Sequence, residues 1–449
     1  MMSKNDMDFA NAPVKRLFGK MFFPTIVGMV SLVVLNMTDG AFVGHGVGAV
    51  GLAAVNIVAP LFMVLTGIGL MFGIGSSVVV SLKLAREQYK MARINATQAV
   101  VAGMGMGVFF AALILAFMPQ TCRIFGATDH LVPVACDYMF WIAMVLPLSI
   151  LAQVGMFLVR IDGSPKFASF LNVLVTLVNI VLDWLLIFEF KMGVEGAAIA
   201  TAVSYSVSAI GALVYMLWFS RVVSFCRLKI SLRGFDNFLK NVFHQMKLGF
   251  SALLGELAMA LLFIVGNYQF LNYLGEDGVA AFSVGCYCLP IAFMFGNAVV
   301  QSAQPIISFA YGVGNHARER EASALALRTA LIIGVAGLLF MWLGAELVST
   351  IFLDTTCKAW EICCEGLPFF SITFLFSCLN LAAIGYYQSV EQTNKSNSYT
   401  FLRGYLFMIP SFLVLPSFLG APGLWLALPA TELVTFIIIV IVAVVHRKK

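Results

Sequence analysis

Four polar residues, Asn172, Thr176, Asn179 and Asp183, interrupt an apolar run at spacings of four, three and four. Such spacing is helical and places all four on one face. A carboxylate at mid-membrane costs roughly 2.5–3.5 kcal/mol on insertion scales, so Asp183 calls for a purpose. A second acid, Asp39, stands near the end of the first apolar stretch, three residues after Asn36. If both acids share one low-dielectric pocket, they cannot both stay ionised without a cation or a proton between them. The pair then forms a coupling site for Na⁺ or H⁺. Asn179, one turn from Asp183, and Thr201 on the next apolar segment supply oxygens of the kind a hard cation takes. The other reading of Asp39 is a carboxylate at the outer edge, reaching interfacial water.

A second group of candidates lies further along the chain. Glu256 is the only carboxylate in its apolar segment, and Asn297, Gln301, Gln304 and Ser308 repeat the four-three-four spacing on the following one. Glu256 is either a second coupling site or the partner of these amides. Glu432 has no assignable neighbour and reads as structural. Pro24 either makes the first helix bendable, as a hinge, or merely occupies its first turn. Gly46–Gly51 spells GxGxxG, but without a preceding strand it reads as a tight turn between helices rather than a nucleotide loop. Gly69, Gly73 and Ser77 form a small-residue ridge suited to close helix packing.

The elements that must position these residues are membrane helices. The chain has 449 residues, of which 61% are hydrophobic and 11% charged, and its mean hydropathy is +0.95. A soluble chain would carry about 25% charged residues. Lipid admits only helices or closed barrels, and the long apolar runs lack the alternation of barrel strands. The expected fold is therefore all-α, with twelve transmembrane helices in two parallel six-helix lobes. The expected helices are near 20–43, 50–82, 94–117, 133–158, 167–188 and 195–219, then 246–272, 279–310, 322–352, 363–388, 399–418 and 422–445. Residues 1–19 read as a cytoplasmic tail, 20–219 as the first lobe, 220–245 as a basic cytoplasmic linker, 246–445 as the second lobe and 446–449 as a cytoplasmic end. On this topology 24 of the 27 Lys and Arg fall on one side, leaving only Arg123, Lys191 and Lys358 on the other. That asymmetry places both termini in the cytoplasm.

The halves repeat at an offset of 227: Lys20 matches Lys247, Gly28 matches Gly255, Gly48 matches Gly275, and Gly193 matches Gly420. Six spans per half is an even number, so the repeats are parallel. Nine cysteines without CxxC pairs and five scattered histidines give no metal site and no disulfide framework, although Cys357, Cys363 and Cys364 fall near one outer loop. The net charge of +5 sits in short loops and does not indicate nucleic acid. Forty phenylalanines and twenty-two methionines supply lipid-facing, core and cavity surface, and such walls suit promiscuous binding.

Several motifs together resemble the multidrug and toxic compound extrusion (MATE) transporters. They are Asp39-Gly40-Ala41-Phe42-Val43-Gly44, Val159 to Lys166, Asn179 to Asp183 followed by Gly193 to Thr201, and Gln304 to Ser308 with Tyr311 to Asn315. The resemblance covers nearly the whole chain. It implies two lobes about a pseudo-twofold axis normal to the membrane. It also implies export of organic, often cationic or amphipathic compounds in exchange for H⁺ or Na⁺. In the branch with first-lobe acids, the ion site falls on Asp39, Asn179, Asp183 and Thr201. Some members place an acidic pair in the second lobe instead; here the later half of the tenth helix offers only the amides Asn380 and Gln388.

The expected activity is thus an ion-coupled antiporter working by alternating access, a monomer in the prokaryotic plasma (inner) membrane. Its expected partners are small organic molecules and the lipid bilayer, with no cofactor beyond the coupling ion. A lipid-linked oligosaccharide flippase of the same superfamily is the nearest rival, weakened because no Lys or Arg reads as lying deep in a span. An intramembrane enzyme is disfavoured by the absence of HExxH, a Ser-His pair or paired catalytic aspartates. A channel is disfavoured because repeats around a central site favour alternating access.

Overall fold

The computed structural model describes residues 8–447 apart from 126, 128, 229 and 230. Every regular element among them is helical: α1 Val14–Gly46, α2 Ala49–Ala85, α3 Tyr89–Ala116, α4 Met118–Ile124, α5 Val132–Ile161, α6 Pro165–Asp183 and α7 Gly193–Val214, then α8 Leu232–Gly312, α9 His316–Leu343, α10 Ala345–Phe352, α11 Lys358–Ser389, α12 Thr393–Phe401, α13 Met408–Leu419 and α14 Ala421–Arg447. Short π-helical turns extend α6 (Trp184–Glu189), α7 (Tyr215–Phe219) and α12 (Leu402–Leu406). Eleven stretches are long and apolar enough to cross a membrane, and one of them, Gly234–Gly312, has 79 residues. At 1.5 Å per residue that is roughly four times the ~30 Å of a bilayer core. Gly275, at φ 69° and ψ −159°, breaks it into two crossings. The chain therefore makes twelve.

The repeat is legible in the backbone as well as in the residues. Gly48 has φ 87° and Gly275 φ 69°; Gly193 has φ 62° and Gly420 φ 63°; Glu87 has φ 57° and Gly314 φ 74°. Each pair lies 227 apart. Positive φ at matched turns means that the same left-handed corner is built twice, mostly with the one residue that adopts it without strain.

The chain forms two compact units. The first runs to Glu256 and includes Ser308–Asn315; the second comprises Leu257–Ile307 and everything from His316 onward. In the first, α5 is the central helix, packed against α2, α3, α6 and α7, and its Leu146, Ile150 and Leu158 are buried. In the second, α11 has the corresponding place against α9, α12 and α14. An aromatic cluster fills that unit: the Phe270 and Phe282 rings stack at 4.4 Å, and Trp425 meets Phe270 edge-on at 5.0 Å.

The seventh span begins at Leu232, well before the expected residue 246. Ser231 caps it, its Oγ accepting from the Gly234 N–H at 3.0 Å. Asp236, Lys240, His244 and Gln245 make this first part too polar for a hydropathy signal. It is held by amides: Gln245 Nε2 donates to the Asn95 carbonyl at 3.2 Å and to Asn95 Oδ1 at 3.1 Å. Gly75 and Gly249 let α2 and α8 approach, since a Cβ on Gly75 would sit 2.0 Å from the Gln245 carbonyl oxygen. The ridge expected on α2 also packs closely, with Gly69 against Gln153 and Gly73 against Phe157 of α5.

Candidate functional site

In α6 the polar face turns inward and the apolar face outward. Asn172, Thr176, Asn179 and Asp183 are all buried, whereas Leu177 and Val181 between them are exposed. This is the pattern of a helix with lipid outside and polar work inside. The buried face seats on α1. Thr176 Oγ1 donates to the Ser31 carbonyl at 2.9 Å, and Gly28 leaves room, because a Cβ there would lie 2.9 Å from Asn172 Nδ2.

That seat carries the far end of α1 to the end of α6. The Asp39 and Asp183 carboxyls come within hydrogen-bonding reach of each other. Asp183 is fully buried, and neither of its oxygens meets a donor among the described residues, nor does Asp39 Oδ1. Two facing carboxyls with no donor need a proton or a cation to be stable together. Asn179 Nδ2 donates to Thr201 Oγ1 at 3.4 Å, and Asn179 Oδ1 is buried without a partner among the described residues. Asp39, Asn179, Asp183 and Thr201 thus form one oxygen-rich cluster drawn from α1, α6 and α7. The π turn starting at Trp184 follows directly, and π turns interrupt the regular helical ladder.

Two residues of this neighbourhood escape sequence reading. Tyr138 of α5 and Tyr205 of α7 both lie within electrostatic range of the acids. Tyr205 follows Thr201 by one turn, a spacing that could have flagged it; Tyr138 stands in an apolar segment with no such signal. A cavity of about 10 Å³, room for a single water, adjoins Thr201 and Tyr205 and is also lined by Thr66, Ser149 and Gln153. Gln153 Oε1 is buried there without a partner among the described residues. No group of three His, Cys, Asp or Glu side chains that could hold a metal ion occurs among the described residues. The cluster's two carboxylates, amide and hydroxyl match a proton or a monovalent cation better than a transition metal.

The remaining candidates are distributed differently. Pro24 lies well inside α1, which opens at Val14, so the first-turn alternative is excluded. Glu256 is half-buried on α8 beside Gly67 in the first unit, whereas Gln301 and Gln304 belong to the second. Both amide atoms of Gln304 are buried without a partner among the described residues, next to a second water-sized cavity lined by Ile307, Tyr386 and Ser389. Glu432 is not isolated. Arg403, buried in the π turn after α12, donates from Nε to Glu432 Oε1 at 3.0 Å, and Asn380 Nδ2 donates to Glu432 Oε2 at 2.7 Å. A cation therefore does lie deep in a span. The expected helix began at 399, which left Arg403 near its start, whereas the span opens at Thr393 and carries Arg403 well inside it. The nine cysteines are all free, Cys122 and Cys136 approaching to 3.7 Å.

The 159–166 motif has a mechanical role. Asp162, buried at the end of α5, accepts from Tyr215 Oη at 2.9 Å, Ser220 Oγ at 3.1 Å, and the N–H groups of Arg221 at 3.0 Å, Val222 at 2.8 Å and Val223 at 2.8 Å. One carboxylate thus gathers the chain as it leaves α7.

Comparison with known proteins agrees with this architecture. The MatE family model matches twice, over residues 24–185 and 252–413. The chain is 23% identical over 428 residues to the multidrug export protein MepA of Staphylococcus aureus, covering 95% of this chain and 92% of that one. MepA of Staphylococcus saprophyticus is also 23% identical, over 90% of this chain and 88% of its own. Among solved structures, an outward-facing multidrug resistance MATE family transporter of the MOP superfamily superposes with a TM-score of 0.90 at 21% identity, over 98% of this chain and 96% of that one. A MOP superfamily transporter from Pyrococcus furiosus, described as having a binding pocket of reverse polarity, gives 0.89 at 21% identity over 98% and 97%. With its model matched in both halves of a twelve-helix repeat, the chain belongs to the MatE family.

Proposed function

We propose that this protein is an ion-coupled antiporter that exports organic, cationic or amphipathic compounds by alternating access. The observation that carries the proposal is the facing pair of half-buried Asp39 and buried Asp183, with both Asp183 oxygens and Asp39 Oδ1 meeting no donor among the described residues. A proton bound between them removes the repulsion. Na⁺ does the same with oxygens from Asn179 and Thr201, and the two ions then compete for one place. Loading the site from outside and releasing it inside would bias which face of the protein is open, and substrate would move the other way. The names of the staphylococcal relatives, both multidrug export proteins, support the direction and the substrate class.

The lobes in this reading are residues 20–219 and 246–445, joined by 220–245, with the tails 1–19 and 446–449 and both termini in the cytoplasm. Pro24 acts as a hinge in α1, and Glu256 with Gln301 and Gln304 is subsidiary. The protein works as a monomer and carries no enzymatic activity. Arg403 does not favour the flippase alternative, because Glu432 and not a pyrophosphate already engages its guanidinium. Inverted vesicles offered an ethidium-like dye from the outside test the proposal. A proton or sodium gradient should drive dye uptake that collapses when the gradient is discharged. Uptake indifferent to both ions would overturn it.

A further inference from the structure

A cavity of about 890 Å³ opens where α3 begins, on the side of the membrane where the basic loops gather. It lies between the start of α3, the segment after α7 and the start of α8, and it is separate from the carboxylate cluster. Its floor is built rather than incidental. Gln98 is buried and its Oε1 accepts from Asn241 Nδ2 at 3.0 Å, while the Cys226 N–H donates to Thr97 Oγ1 at 3.1 Å. Arg93 Nε pins the same segment through the Val222 carbonyl at 3.0 Å.

Its walls and rim differ in chemistry. Met91, Ile94 and Leu228 give an apolar wall, continued by Phe235 and Phe238, whose near-parallel rings are 6.4 Å apart. Lys90 and Arg227 stand exposed at the rim, with no ion-pair partner among the described residues. Asp236, the first acid in the sequence of α8, is already taken by Lys240 at 2.7 Å. Two unengaged cations above a hydrocarbon slot at the membrane surface complement an anionic amphiphile.

We propose that this cavity binds an anionic phospholipid, with Lys90 and Arg227 on the headgroup phosphate and the apolar wall on the upper acyl chain. A free anion would use the rim but gain nothing from the wall. A whole lipid does not fit this volume, so the rest of the chains would lie along the exposed faces of α3 and α8. The charged inner leaflet concentrates such lipids where the helix ends emerge.

The test uses the full chain, delipidated in detergent and titrated with phosphatidylglycerol, phosphatidylcholine or free glycerol 3-phosphate, with bound molecules counted by native mass spectrometry. Phosphatidylglycerol should occupy one site that phosphatidylcholine does not fill. Removing a surface cation should weaken it about fivefold, from about 1 kcal/mol per Lys or Arg. Lys90→Gln and Arg227→Gln should each do this and the pair together more, while Lys191→Gln on the opposite side should not. Phe235→Ser, at an exposed position, should weaken the lipid as well. Equal affinity in the double variant and wild type would overturn the proposal. So would equal filling by phosphatidylcholine, or glycerol 3-phosphate binding as well as the lipid, which would mark a soluble-anion site.

Discussion

Replacing Asp162 by Asn keeps the side chain's size but removes the charge that five donors share. Two of them, the Tyr215 hydroxyl at 2.9 Å and the Arg221 N–H at 3.0 Å, converge on Oδ2; the other three converge on Oδ1. If the new amide nitrogen takes the Oδ2 place, Tyr215 can turn wholly to Ser164 Oγ, 2.7 Å away. The Arg221 N–H cannot turn, and leaving this part-buried donor unmet costs about 2 kcal/mol. Placing the nitrogen at Oδ1 is worse, since two backbone N–H groups then lose their acceptor. The surviving contacts also weaken from charged to neutral, by about 1 kcal/mol in all. Together these reach about 3 kcal/mol, which is roughly a hundredfold in the opening equilibrium of residues 220–223. Arg221 and Arg227 are exposed next to this anchor. Trypsin should therefore cut the purified Asp162→Asn protein there about a hundred times faster than wild type, under conditions where opening limits cleavage through its equilibrium. Cleavage within twofold of wild type would show that the five bonds do not hold the segment.

Other perturbations have equally definite outcomes. Arg403→Met should lower stability by about 3–5 kcal/mol, because it leaves the Glu432 carboxylate buried with Asn380 alone, and adding Glu432→Leu should restore most of it; thermal unfolding of the single and double variants measures this. With native cysteines replaced, Lys358→Cys should be labelled by an impermeant maleimide in intact cells and Arg227→Cys should not; the reverse pattern would invert the topology. Glu256→Gln should reduce dye export less than either first-unit acid variant, because a lone carboxylate can carry a proton but makes a poor cation cage. Export lost in Glu256→Gln and retained in Asp39→Asn would place coupling at the other acid.

The part of the site on α6 was legible because all its members share one helix. Spacing alone puts Asn172, Thr176, Asn179 and Asp183 on one face, and burial in lipid forces that face inward. The turn glycines were legible as a repeat because positive φ restricts residue choice at Gly48, Gly275, Gly193 and Gly420. Contacts between helices were harder to see. The Arg403–Glu432 pair spans 29 residues and depends on the rotation of two helices, which a π turn shifts. Tyr138 lies within electrostatic range of the acids from another helix, and its place in the sequence gives no spacing signal that pairs it with them. The start of α8 was missed because hydropathy registers only apolar helix, while Asn241 and Gln245 dock it through amide hydrogen bonds. The short helices α4 and α10 lie where a loop and the end of a longer span were expected, since seven or eight residues carry too little periodicity to stand out.

The most direct measurement compares Asp39→Asn and Asp183→Asn with wild type for dye efflux and substrate affinity, at matched membrane levels. An amide is less costly to bury than a charge, so both variants should fold. Each removes half of the facing pair and with it the need for a coupling ion. Gradient-driven efflux should fall to background in both variants while the substrate still binds. Efflux at the wild-type rate from both would show that the carboxylates are structural and that coupling resides elsewhere.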